Sequence, residues 1–219
     1  GGGAWASLRV GAPAGAQGPQ SVTAAQINLV DAGGTLRGVL SAQDENGQAS
    51  LALFDAGGGT RARLGIRPDG EPLLELRNAG GQPRLSAGVT GDDPLLVVGD
   101  ERRTHGVFGS AGGAPLLSFA DGRQARMQLQ LGQDGRPGVV LAGADGQRSA
   151  ALSMDSEDAP LVTLYHAGRP RVTIGVVQEA AVINLNGAGQ SRVVMGVAAD
   201  GHPSVTLFDD AGEVMAALP

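Results

Sequence analysis

One period runs through nearly the whole chain, and it limits the fold more than any other feature. Apolar anchors recur at Ile27, Leu51, Leu74, Leu96, Leu117, Val140, Val162, Ile183 and Val205, spaced 21 to 24 residues apart. An Arg follows each anchor at Arg37, Arg61, Arg84, Arg103, Arg126, Arg148, Arg171 and Arg192, with Met215 in the ninth place. Pro72, Pro94, Pro115, Pro137, Pro160 and Pro203 mark the unit boundaries. Three kinds of marker sharing a period of about 22 residues define a tandem array. The idealised unit reads apolar-x-apolar-x-Asp/Asn-x-x-Gly-x-x-Arg-apolar-x-apolar-Gly-apolar-x-x-Asp-Gly-x-Pro, in nine copies. A single copy cannot fold alone. It buries about five apolar side chains at roughly 1.5–3 kcal/mol each, against roughly 1–2 kcal/mol per residue of backbone ordering. Neighbouring units must hold one another up.

Inside each unit apolar residues alternate with period two, the signature of a strand with one buried face. Val205 and Leu207 fall on one side of such a strand, with Thr206 and Phe208 on the other. Val193, Met195 and Val197 likewise share a side that Arg192 and Val194 do not. No window carries helical spacing over three turns. The first turn of each unit opens on an Asx residue, at Asp31, Asp55, Asn78, Asn186 and Asp209, and places Gly three residues later. The Asx side chain can accept a turn N–H, and Gly supplies the positive φ that closes a type I turn with a bulge. Second turns such as Pro68-Asp69-Gly70 and Ala199-Asp200-Gly201 carry the same chemistry. The expected fold is all-β: tandem hairpins of about 22 residues forming an extended antiparallel meander. The alternative is a two-sided β-solenoid, because one coil also suits about 22 residues.

Composition excludes several functions. The chain has no Cys, and all 16 basic residues are Arg. Disulfides, thiolate metal sites and Cys nucleophiles are ruled out, as is a Gly-x-x-x-x-Gly-Lys phosphate loop. A net charge of −6 argues against a nucleic-acid partner, and no apolar run approaches the roughly 18 residues of a membrane helix. His202, Asp200 and Ser204 could be assembled into a catalytic set, but no Gly-x-Ser-x-Gly elbow accompanies them. The acidic turns at Asp44-Glu45, Asp92-Asp93 and Asp155–Asp158 lack the spaced ligands of a calcium loop. No cofactor, metal site or catalytic residue is expected. The repeat Arg residues are read as structural, each bridging to a turn Asp or carbonyl.

A single sheet of about 18 strands would extend roughly 85 Å, and its apolar face would still need a cover. Only six aromatic residues are present, so a self-made core would be thin. A homo-oligomer is expected, with a trimeric prism or a fibre as candidate arrangements. Residues 1–20 read as a Gly/Ala/Pro-rich segment or linker ahead of a β-repeat domain over 21–219. In that segment Ala6 to Val10 form a half-unit, and Trp5 plugs an open sheet end or contacts a partner. The missing initiator Met suggests a processed or excised chain.

The units most fully developed, Leu51–Pro72 and Ile183–Pro203, resemble a loosely defined group of bacterial proteins with tandem LxLxDxxGxxRxxLGVxxDGxP units. The likeness covers roughly residues 25–219. Phe54-Asp55 and Phe208-Asp209 are more distantly similar to the hairpin turns of YD/Rhs repeats, without their Tyr and with too few units to enclose a shell. These resemblances imply a surface, envelope or assembly role rather than metabolism. The expected function is that of a non-enzymatic structural module that oligomerises at a cell surface or as an accessory subunit of a larger complex. The alternative is an adhesin or glycan-binding module, for which Trp5, Phe54, Tyr165 and Phe208 are the candidate stacking residues.

Overall fold

The computed structural model describes residues 23–100, 103–132 and 134–219, and every regular element in them is a strand. The first hairpins are β1 (Gln26–Val30) with β2 (Leu36–Ser41), β3 (Ser50–Phe54) with β4 (Thr60–Ile66), and β5 (Pro72–Arg77) with β6 (Pro83–Thr90). Next come β7 (Asp93–Gly99) with β8 (Thr104–Ala111), β9 (Ala114–Ala120) with β10 (Ala125–Leu131), and β11 (Pro137–Ala142) with β12 (Arg148–Met154). The last are β13 (Pro160–His166) with β14 (Arg169–Val177), β15 (Ala180–Asn186) with β16 (Ser191–Val197), and β17 (Pro203–Phe208) with β18 (Val214–Leu218). Each strand pairs antiparallel with its sequence neighbours and with no other described strand. The result is one open sheet, an antiparallel meander of nine hairpins, and not a solenoid. Among the described residues, no helix is long and apolar enough to cross a membrane.

The two turns of a unit leave different marks. Every first turn is followed by a β-bulge, where the register skips one residue of the second strand. The pairings across the second turns, such as β2 with β3 and β4 with β5, run without a skip. A bulge at a constant place adds local twist without losing the pattern of faces.

Because cross-strand partners share a face, the register sorts the side chains into two layers. One face carries two central apolar rows. The first runs Leu53–Ala62–Leu76–Leu85–Val98, and the second Leu51–Leu64–Leu74–Ala87–Leu96. The opposite face carries Ala52, Arg63, Glu75, Ser86 and Val97 in the matching row. The anchors keep to a single row across all nine units with one correction: Val139, not Val140, occupies it in β11, and Val140 faces the polar side between Gln128 and Ala151. No described large side chain is fully buried. Ala151 is the one described apolar side chain that is buried, and the buried polar residues Ser41, Ser50, Ser118 and Thr163 lie with it on the polar face. This is a single-layer sheet with no interior of its own.

Candidate functional site

The turns are built from backbone N–H groups collected by one carboxylate. Asp55 Oδ1 accepts from the N–H groups of Gly57 and Gly59, both at 2.9 Å, while Gly58 N donates to Asp55 O at 3.1 Å. Asp31 and Asp209 repeat this pattern, and Asn78 accepts from Gln82 N at 3.0 Å. The fourth residue needs a left-handed backbone, which Gly34 and Gly58 adopt at φ 80° and 81°. Asn186 departs from the expected place. It is the last residue of β15, opposite Ser191, and Gly187 opens that turn instead.

The bulged residue is where the repeat Arg stands. Arg37, Arg61, Arg84, Arg126, Arg171 and Arg192 are the residues skipped by the register in their units. Arg37 reaches back to Asp31 and Arg61 to Asp55, each at 3.8 Å. Arg84 lies 3.6 Å from Asp100 of the next unit. Arg126 binds Asp121 at 3.0 Å and the Ala142 carbonyl at 2.9 Å, Arg171 donates to the Gly187 carbonyl, and Arg192 pairs with Asp210. Two residues fall outside the pattern. Arg148 sits one position early, opposite Ala142, leaving Ser149 as the bulged residue, and it makes no ion pair among the described residues. Arg103 lies in its turn, and His105 takes the slot, 3.6 Å from Asp100. Met215 holds the ninth slot.

Other charged groups also serve the fold. Asp93 accepts from the Ser110 hydroxyl and from Gly113 and Gly112 N–H, which holds its carboxyl below the ordinary 3.8 and ties β7 to the β8–β9 turn. The N–H groups of Gln48 and Asn46, then Arg63, do the same for Asp44. In Asp121 the donors are Arg123 N–H, the Arg126 side chain and Gln124 N–H. Asp155 is occupied by the N–H groups of Glu157 and Ala159. His202 and Asp200 do meet, Nδ1 to Oδ1 at 3.0 Å, but in an open turn with His202 83% exposed. No hydrogen bond joins Ser204 to them. The described residues contain no cluster of potential metal ligands.

Trp5 and the Ala6–Val10 half-unit lie outside the described residues. The other three candidate stacking residues are dispersed. Phe54 is in β3, Tyr165 in β13 and Phe208 in β17, ten and four strands apart, or roughly 48 and 19 Å. The conspicuous aromatic residues are others, Phe108 at 63% and Phe119 at 48% exposure, both on the apolar face. Their place in the period-two alternation put them on that face; nothing in the alternation says whether the face is covered.

What remains is the apolar face itself. Leu40, Leu64, Leu129, Leu152, Leu164 and Ile174 are each 38–52% exposed. Its two central rows contain no Asp, Glu or Arg: charge is confined to the turns and the residues that close them, such as Arg169, to the bulges and to the opposite face. Between β8 and β12 the face dips into a depression of about 450 Å³ walled by Phe108, Leu117, Leu129, Leu131, Leu152 and Met154. No protein-family model matches the chain, and no curated protein is significantly similar to it.

Proposed function

We propose that this chain is a non-enzymatic structural module, an elongated β-repeat sheet that works by assembling into an oligomer at a cell surface or as an accessory subunit of a larger complex. One observation carries the reading: the sheet has an apolar face along its length, and no second layer covers it among the described residues. A monomeric soluble protein rarely exposes apolar patches beyond a few hundred Å², and a stable domain packs two layers around one core. A surface or accessory setting is supported by the resemblance of Leu51–Pro72 and Ile183–Pro203 to bacterial tandem units. Light scattering with negative-stain microscopy tests the assembly. Elongated multi-chain particles are expected, and compact monodisperse monomers would overturn it.

A further inference from the structure

We infer that the occupant of the apolar face is the same face of a second copy of this chain, seated with its side-chain knobs over the other's hollows. The inference rests on the assembly reading above and specifies the surface used. The first support is the shape of the face. In the first apolar row, odd-numbered strands carry Leu29, Leu53, Leu76 and Leu164 while even-numbered strands carry Gly38, Ala62, Gly106 and Ala150, so a tall residue alternates with a short one except at Leu85 in β6 and Met127 in β10. In the second row the side chains that stand out most are on even-numbered strands instead, Leu40, Leu64 and Phe108, exposed at 49%, 52% and 63% against 37% for Leu74 on odd-numbered β5; Ala87 in β6 is the exception. Outside β6 and β10, knobs and hollows form a staggered lattice repeating every two strands, about 9.6 Å.

A partner sheet interdigitates with such a lattice only if its own knobs repeat at the same interval. A second copy meets that condition by construction, and sliding it by one strand, about 4.8 Å, sets knobs over hollows. Area is the second support. The two central rows across 18 strands offer about 1,200 Å² per copy, above the roughly 800 Å² per partner of a stable interface. Absence of charge is the third, because no ionised group would be desolvated on closure. The chain's own residues 1–22 could not serve as well. Their large apolar side chains are Trp5, Leu8, Val10 and Val22, too few to cover a face of this length.

The chain has no Cys, so single cysteines report on each face. Leu129 and Gln130 are neighbours in β10 on opposite faces, and both are exposed in the single sheet. Full-length Leu129→Cys and Gln130→Cys proteins are labelled with a maleimide while mass is followed by light scattering. The expected result is a mass of two or more chains, with Leu129→Cys labelled at least ten-fold more slowly than Gln130→Cys and the difference vanishing on dilution to monomer. Equal rates in a multi-chain particle would overturn the face-to-face packing and leave the assembly reading standing. Slow labelling in a monomer would put the chain's own N-terminal residues on the face and overturn it too. Equal rates in a monomer would end both.

Discussion

Replacing Gly88 by alanine puts a methyl group where the backbone of the neighbouring strand already lies. Built on the existing backbone, its Cβ falls 2.6 Å from the Pro72 carbonyl oxygen, with Leu73 Cδ1 at 3.5 Å and Leu73 Cα at 3.6 Å. A flexible side chain could yield, but a carbonyl cannot move without separating β5 from β6. The cost belongs to overpacking, about 1–3 kcal/mol, and for a domain of this size each kcal/mol lowers Tm by about 2–4 °C. Gly88→Ala is expected to lose about 4–10 °C in thermal melts followed by far-UV circular dichroism at fixed protein concentration. Gly196 holds the same place five units on, 2.6 Å from the Ala181 carbonyl oxygen, and Gly196→Ala should lose a similar amount. Gly138 lies in the same row with its nearest atom, Leu152 O, at 3.6 Å. There alanine meets ordinary contact and restricts the unfolded chain, so Gly138→Ala should gain about 0.5–1 kcal/mol. Gly88→Ala melting at or above the wild-type Tm would refute the close strand approach, and opposite effects at Gly88 and Gly196 would refute the equivalence of the units.

Three further outcomes follow from local geometry. Gln178 and Glu179 turn the chain between β14 and β15 at φ 48° and 67°, so the double change to Asn-Gly should stabilise by about 1–2 kcal/mol, read as a higher Tm. Among the repeat arginines, Arg126→Gln should cost about 1 kcal/mol because it breaks two good contacts. Arg61→Gln should cost a few tenths of a kcal/mol, and Arg148→Gln nothing measurable in urea unfolding. The carboxyls of Asp44, Asp93, Asp121, Asp134 and Asp200 are all held below 3.8 in the folded chain. Their stabilisation is full above the unfolded value near 4 and is lost as pH falls through the lower folded values. Tm should therefore be flat from pH 7 to 5 and drop below about pH 4, with a smaller drop in Asp93→Asn.

Much of this architecture could be read from the residues, and the misreadings share a cause. Alternation in Val193, Met195 and Val197 assigned faces correctly, and Asp55-Ala56-Gly57-Gly58 announced its turn. The slips at Val140, Arg148, Arg103 and Asn186 are each of one or two residues, next to turns that change length between units. The β13–β14 connection is Ala167-Gly168 alone, whereas Asp55–Gly59 fills its counterpart. The difference is taken up in the turn itself while the one-residue bulge stays the same, so counting along the chain loses phase while hydrogen bonding keeps it. Alternation also records that a face is apolar but not whether its cover comes from the same chain. Phe108, on the uncovered face, therefore carries no sequence signal that sets it above Phe54 and Phe208, the last residues of β3 and β17.

The dependence of Tm on protein concentration tests the central claim most directly, because a sheet that gains its second layer from another chain is stabilised by mass action. Over a hundred-fold range of concentration the stabilisation grows by about 2.7 kcal/mol, which predicts a rise in Tm of about 5–10 °C. A cooperative melt at the same temperature across that range would mean that one chain completes its own core, and would contradict the account.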